Sequence, residues 1–237
     1  MKTLDRELTR FLKSAGADLI GFADLKEIDS ESRDGFKSAI SIAVALDPRI
    51  MLEIAEGPTL GYYEEYKRLN ALLANLGQSA EGFLQERGFK SKARPVTVDD
   101  PVSLTSRLPH KTAATRAGLG WIGKCALLIT RKYGSAIRLA TVLTDAPLSC
   151  GKPVEISSCG SCFECIDLCP AHAITGRDWE AGVPREFLLD AFSCRDTAGR
   201  LTLQNFGMKV LICGRCIVAC PWTKKYLEKA VDKKVEL

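Results

Sequence analysis

Apolar residues at Leu4, Leu8, Phe11, Leu12 and Ala15 recur at helical spacing and stop at Gly16, which predicts an N-terminal helix over residues 4–15. Two short apolar runs follow, at residues 19–23 and 39–46. Their length and β-branched content suit buried strands. A longer stripe of Leu69, Leu72, Leu73, Leu76, Ala80, Phe83 and Leu84 predicts a helix over residues 62–87. Gly77 and Gly82 are the points where it is expected to kink or divide. Residues 96–98 read as a strand and 110–117 as a short helix. Residues 125–130 and 137–144 read as two strands joined in a hairpin through Tyr133-Gly134-Ser135. Beyond Asp145-Ala146-Pro147 the alternation fades, and residues 150–221 are rich in Cys, Gly and Pro without a strand pattern. The fold class is therefore α/β (α+β). It divides into a mixed domain over residues 1–148, a cysteine-rich module over 149–222 and a basic helical tail over 223–237.

Composition changes this picture only through cysteine. The 237 residues are 46% hydrophobic and 26% charged, ordinary values for a chain with a packed core. No apolar run approaches the ~20 residues needed to cross a bilayer. The first residues, Met1-Lys2-Thr3-Leu4-Asp5-Arg6-Glu7, lack the apolar stretch of a signal peptide, so a cytoplasmic protein is expected. A net charge of +4 gives no argument for nucleic acid. Ten cysteines in a reducing compartment are expected to be ligands rather than disulfides.

Their spacing is specific. Cys159-x-x-Cys162-x-x-Cys165-x-x-x-Cys169-Pro170 matches the bacterial ferredoxin run for [4Fe–4S] clusters, whose fourth cysteine ligates the other cluster. A second run is then required, and Cys213-x-x-Cys216-x-x-x-Cys220-Pro221 supplies it without the usual first cysteine. Cys194 upstream can provide the missing thiolate across a longer loop. One cluster would take Cys159, Cys162, Cys165 and Cys220; the other would take Cys169, Cys194, Cys213 and Cys216. Structural zinc is the plainer alternative, but it leaves the Cys-Pro repeats without a reason. Cys125 opens a predicted buried strand and reads as core; Cys150 is assigned no role.

The stretch Gly118-Leu119-Gly120-Trp121-Ile122-Gly123-Lys124 contains G-x-G-x-x-G, but with a helix before and a strand after, the reverse of a dinucleotide site. As a P-loop it fails because Cys125 stands where Ser or Thr must hold magnesium. Its glycines permit either close approach to a bulky ligand or a tight helix-to-strand turn.

Residues 110–124, His110-Lys111-Thr112-Ala113-Ala114-Thr115-Arg116-Ala117 followed by the glycine stretch, change the balance. Together with Tyr133-Gly134-Ser135, Leu143-Thr144-Asp145-Ala146-Pro147-Leu148 and an interrupted second run ending in Cys220-Pro221-Trp222, they resemble the epoxyqueuosine reductase family. That family is related to the cobalamin-dependent reductive dehalogenases, and the resemblance covers residues 17–222. It implies an oxidoreductase with a nitroreductase-like, cobalamin-binding domain over residues 1–148 and a ferredoxin-like two-cluster module after it. Two [4Fe–4S] clusters would deliver electrons to cobalt for reductive removal of oxygen or halogen. The implied partners are a low-potential donor such as ferredoxin or flavodoxin and a small-molecule or modified-nucleoside substrate. The chain departs from the family in three places. The acidic Val-Asp-Ser/Thr-Ala-Pro stretch reads Val98-Asp99-Asp100-Pro101, and Glu-Arg before the glycine turn reads His110-Lys111. The family's helical-repeat domain that helps hold tRNA is not matched in these residues, which leaves tRNA a weaker candidate partner than a small molecule or modified nucleoside.

These readings nominate residues. Asp100, beside Asp99, would be a general acid if burial kept it protonated, and a turn cap otherwise. His110 would donate a proton or contact a corrin amide. Gly118, Leu119, Gly120, Trp121, Ile122, Gly123 and Lys124 would line the cobalamin. His172 is expected to pack near a cluster, and Tyr62, Tyr63 and Tyr66 to belong to the core. Arg87, Lys90, Lys92, Arg94, Arg107, Lys111 and Arg116 form a basic stretch able to hold phosphate and amide arms or an anionic substrate. The basic tail reads as a solvated helix face. The competing functional class is a non-catalytic iron–sulfur electron carrier or corrinoid-reducing partner protein.

Overall fold

A computed structural model describes residues 3–96, 100 and 102–235, with side chains through residue 229. In chain order its elements are α1 (Thr3–Ser14), β1 (Leu19–Asp24), β2 (Ser38–Ala45), α2 (Pro48–Leu52), α3 (Leu60–Gln85), β3 (Ser91–Ala93), α4 (His110–Arg116), β4 (Trp121–Ile122), β5 (Leu128–Ile129) and β6 (Ile137–Thr144). The remaining helices are α5 (Glu164–Asp167), α6 (Ala191–Phe206), α7 (Arg215–Ala219) and α8 (Pro221–Val235). No helix among the described residues is long and apolar enough to cross a membrane.

Contacts divide the chain into two compact units that alternate along the sequence. One comprises Met1–Ala45, Leu69–Gly120 and Arg138–Glu155; the other comprises Leu46–Arg68, Trp121–Ile137 and Ile156–Leu237. The division expected at residue 148 is thus corrected: residues 46–68 and 121–137 pack with the cysteine-rich segment. Apolar patterning sees each element's own periodicity, not which partner buries it.

The first unit is built on a four-stranded sheet of order β1-β2-β6-β3. β1 and β2 pair antiparallel from Leu19↔Ala43 to Asp24↔Ser38, as their two apolar runs predict. The α3 stripe is buried at Leu69, Leu73, Leu76, Ala80 and Leu84, each leucine contributing ~1.5–3 kcal/mol. Neither Gly77 nor Gly82 divides α3, which runs unbroken for 26 residues. Phe11 of α1 stacks on Phe83 with ring centroids 5.1 Å apart. A core of Ala23, Leu25, Ala39, Leu108, Ala113, Ala117 and Leu143 joins the sheet to α4.

β3 pairs antiparallel with β6; the strand expected over residues 96–98 falls on residues 97 and 98, which lie outside the described ones. One strand expectation is corrected. The expected hairpin does not form. β5 pairs instead with β4, while β6 enters the four-stranded sheet. The Tyr133-Gly134-Ser135 turn closes only on Thr130, through a single bridge to Gly134.

In the second unit that turn is pinned by α8. Ser135 N–H donates to Thr223 Oγ1 at 3.1 Å, and Tyr133 meets Tyr226 edge-on at 5.1 Å. Gly134 has φ 57°, and a Cβ there would lie 2.3 Å from both the backbone nitrogen and the Oγ1 of Thr223. Gly134→Ala therefore combines a left-handed backbone with a backbone overlap. A loss of more than ~2 kcal/mol is expected in denaturant unfolding of the reconstituted protein. A loss under ~0.5 kcal/mol would contradict this packing.

Candidate functional site

The second unit gathers the eight nominated ligand cysteines. Cys159, Cys162 and Cys165 border a cavity of about 210 Å³, and Cys220 closes it from the end of α7. Burial first, and then the neighbouring Cys159 and Cys165 thiolates, push the Cys220 thiol up. Cys169 and Cys194 pack around a common core, with Cys216 against it. Burial and then the nearby Cys169 and Cys213 thiolates raise Cys194 to about 11. Cys213 is raised by burial first, with the Cys169 thiolate adding to it. So Cys220, late in the chain, sits beside the early cysteines, and Cys169 sits beside Cys194 and Cys213. Buried thiols crowded in this way resist ionisation unless a cation takes the place of the proton.

Cys194 reaches its place on helix α6, which forms much of the segment expected as a longer loop between it and Cys213. Asp190 caps α6 by accepting from Phe192 N–H and Ser193 N–H, both at 3.0 Å, and Cys194 stands in the first turn. Pro221 begins α8 directly after Cys220, a position where its missing N–H costs nothing.

The glycine stretch falls into two parts. In the first unit, Gly118 has φ 75°, and a Cβ there would lie 2.7 Å from the Lys152 carbonyl. Leu119 packs over Gly21, where a Cβ would meet its side chain at 2.9 Å. Gly120 is buried. In the second unit, Trp121, Ile122, Gly123 and Lys124 are all buried. Trp121 packs edge-on against Trp222 at 5.3 Å. A Cβ on Gly123 would lie 2.3 Å from Ile129 Cδ1 and 3.3 Å from Cys159 Sγ. Lys124, 2% exposed, donates to the Gly160 carbonyl at 2.6 Å and the Cys162 carbonyl at 3.2 Å. Its ammonium also lies 4.1 Å from the Phe163 ring centroid and 3.7 Å from Asp178. Lys124 therefore holds the loop of the first three cysteines. The sequence offered a signal for this only in the buried turn itself, because the partners of Lys124 are backbone carbonyls.

The other nominated residues are differently placed. Asp100 is exposed and accepts from Val102 N–H at 2.8 Å and from Ser103 Oγ. The Ser103 hydroxyl first, then the Val102 amide, hold its carboxyl below the ordinary range. That is the turn-cap arrangement, and the expectation of an acid kept protonated by burial is corrected. Asp99 lies outside the described residues. Both His110 nitrogens are engaged, Nδ1 with Thr141 Oγ1 and Nε2 with the Pro95 carbonyl, each at 2.9 Å. A carbonyl only accepts, so Nε2 carries a proton and donates it there. His172 is exposed with φ 48°, not packed into the cysteine core. Tyr62 is buried as expected, and Tyr63 stacks on Phe206.

Five of the seven residues of the basic stretch pair with acidic residues of their own unit. Lys92 and Arg94 pair with Asp34 at 2.6 and 3.3 Å. Arg107 pairs with Glu31 at 3.5 Å, Arg116 with Glu27 at 2.5 Å and Arg87 with Glu7 at 3.7 Å.

Against this geometry the likeness to known proteins can be set. Residues 158–223 match the 4Fe-4S double cluster binding domain family. The epoxyqueuosine reductase of Aliivibrio fischeri is 32% identical over 171 residues, covering 68% of this chain and 40% of that protein. The chain is thus similar to proteins named epoxyqueuosine reductase over about two thirds of its own length. The Bacillus anthracis enzyme of that name is 27% identical over 259 aligned positions, covering 93% of this chain and 65% of its own length. The chain thus spans between two fifths and two thirds of these relatives. A crystal structure of an epoxyqueuosine reductase with an epoxyqueuosine-modified tRNA-Tyr stem loop matches at TM-score 0.65 and 25% identity, covering 93% of this chain and 65% of that one. A catabolic reductive dehalogenase in complex with 3-bromo-4-hydroxybenzoic acid shares the fold at TM-score 0.65 and 20% identity, covering 90% of this chain and 31% of that one.

Proposed function

We propose that this chain is an iron–sulfur reductase of the epoxyqueuosine reductase type, working with cobalamin on a substrate that loses oxygen or halogen by reduction. The observation that carries it is the exchange of cysteines between runs. Cys220 stands with Cys159 and Cys165, and Cys169 stands with Cys194 and Cys213. Two independent zinc sites have no need of such crossing, whereas paired ferredoxin clusters do. The donor set fits, because the thiols of Cys159, Cys162, Cys165 and Cys220, with Cys125 beside them, border a cavity of about 210 Å³ and each iron of a cubane takes one thiolate. Held there, [4Fe–4S] clusters supply one-electron chemistry at a potential set by charge, burial and hydrogen bonds. The chain's own residues fix the ligands. Lys124 ties down the loop of residues 160–162, Gly123 lets Ile129 and Cys159 close in, and Trp222, packed edge-on against Trp121, lines the cavity beside Cys220.

The residues nominated for cobalamin do not fit a corrin face. Five of the seven, from Gly120 to Lys124, are buried, Leu119 packs on Gly21, and the Lys124 amine is held by the first cysteine loop. Cobalamin rests on the likeness to the family alone. A low-potential ferredoxin or flavodoxin as donor, and a modified nucleoside or small molecule as substrate, belong to the same reading.

Anaerobic purification with iron, sulfide and zinc analysis tests the clusters; about eight irons per chain are expected. Near-stoichiometric zinc with little iron would overturn the reading. Titration of cob(II)alamin followed by EPR tests the remainder, with a changed cobalt signal expected. Eight irons with no change at high micromolar cobalamin would favour the electron carrier.

A further inference from the structure

Helix α6 buries Ala198 and Thr202 and leaves an apolar row outside. At about 100° per residue, Phe192, Gly199 and Leu203 share one face. Gly199 is the bare point of that row, and residues 208–211 cross it: a Cβ there would lie 3.3 Å from Lys209 Cε and 3.5 Å from Leu211 Cδ2. Thr202 pins the crossing, its hydroxyl lying 2.8 Å from the Val210 carbonyl and accepting from the Val210 N–H at 3.0 Å. Phe192, Leu203, Met208 and Leu211 are each between 40% and 57% exposed. Single exposed apolar side chains are ordinary, but four gathered on one helix and its crossing segment mark a contact surface. The charges around it are basic. Residues 197–227 carry Arg200, Lys209, Arg215, Lys224 and Lys225 and no acidic residue. Arg200 reaches the Gln204 amide oxygen at 3.5 Å rather than a carboxylate, and Lys209 is exposed. The nearby acids are already engaged: Asp196 with Arg195 at 2.8 Å, Glu186 with Arg185 at 3.1 Å, and Asp190 with the start of α6.

We propose that this face of α6, with Lys209 and Leu211 laid across Gly199, is the docking site of an acidic one-electron carrier protein that supplies the cluster of Cys169, Cys194, Cys213 and Cys216. This rests on the ligand sets given under the proposed function. Cys194 stands two residues from Phe192, about 200° round the helix, and packs against the cysteine core. Leu211 stands two residues before Cys213 on the crossing segment. A carrier seated on the outer face is therefore separated from the Cys194 thiol by about one helix width, ~10 Å. One electron passes from the reduced carrier to the oxidised cluster, so the carrier is oxidised by one and the cluster reduced by one; no bond forms or breaks. Arg200 and Lys209 draw an acidic partner into the encounter and fix its orientation. The apolar row gives the dry centre of the contact, a use that a phosphate backbone would not have for Leu203, Met208 and Leu211.

The test uses the anaerobically reconstituted protein, with an acidic bacterial ferredoxin and an acidic flavodoxin as probes in binding titrations at low and high salt. Wild type is expected to bind at least one of them, and more weakly at high salt. Arg200→Glu combined with Lys209→Glu should slow association ~10–100-fold in stopped flow. Leu203→Ser should weaken the complex ~5–30-fold. Arg200, Leu203 and Lys209 are all exposed, so these variants should keep about eight irons and the EPR spectra of dithionite-reduced wild type. Arg131→Glu, an exposed reversal outside α6 and its crossing segment, should bind as wild type does. Association at the wild-type rate in the double reversal, or an equal loss in Arg131→Glu, would overturn the proposal. So would a full set of clusters with neither carrier bound, whether the face then takes a tRNA stem loop or a second copy of this chain. A wild type with far fewer than eight irons would instead sink the cluster assignment, and this proposal with it.

Discussion

Cys194→Ala is expected to halve the iron content, from about eight to about four irons per chain, while one complete [4Fe–4S] signal survives. Cys194 stands with Cys169 and Cys213, so its loss opens only that set. Cys159, Cys162, Cys165 and Cys220 border their own cavity and should keep their cluster. The complementary Cys220→Ala should spare the cluster that Cys194→Ala destroys. EPR of the reduced proteins, with iron and sulfide counted on the same samples, separates the two. If Cys194→Ala kept both clusters, another group would have to be the fourth ligand. If it lost both, the division into two independent sets would be wrong.

The cysteine pattern was legible because ligation is specified by residue type and spacing, and both are explicit in the chain. Strands β1 and β2 were legible for a related reason: each is a short apolar run, and an element buried on both faces needs no partner to declare itself. The pairing of β5 was not. Two strands of two residues carry no periodicity, and a Gly-containing turn between two apolar runs mimics a hairpin. Helix α6 was missed although Asp190 and Gly207 mark its ends, since its moderate apolar content gave no stripe. What the sequence conceals most is the charged partner far along the chain. Lys92 and Arg94 look like an open basic stretch until Asp34, some 60 residues away, is placed beside them. Asp100 illustrates the same limit: its ionisation depends on exposure and on Ser103, and neither follows from being an aspartate before a proline.

Lys124 separates the two possible uses of the glycine stretch. A buried ammonium is costly unless hydrogen-bonded, and here it is satisfied by the Gly160 and Cys162 carbonyls and by the Phe163 ring. Those groups belong to the loop carrying the first two ligand thiols, so the lysine stiffens that loop before metal arrives. Its positive charge also lowers the cost of ionising the Cys165 thiol. Lys124→Met keeps the length and the apolar stem but removes every donor and the charge. The cluster held by Cys159, Cys162, Cys165 and Cys220 is expected to bind ~10–100-fold more weakly, the usual effect of losing a partner that supports metal ligands. In a chelator challenge, half of the iron should then leave much faster than in wild type while the other half is released at the wild-type rate. A lysine serving cobalamin would behave differently: iron release would be unchanged, and only the cob(II)alamin titration would weaken. Uniform, wild-type iron release from Lys124→Met would therefore remove Lys124 from the cluster site and return it to the corrin.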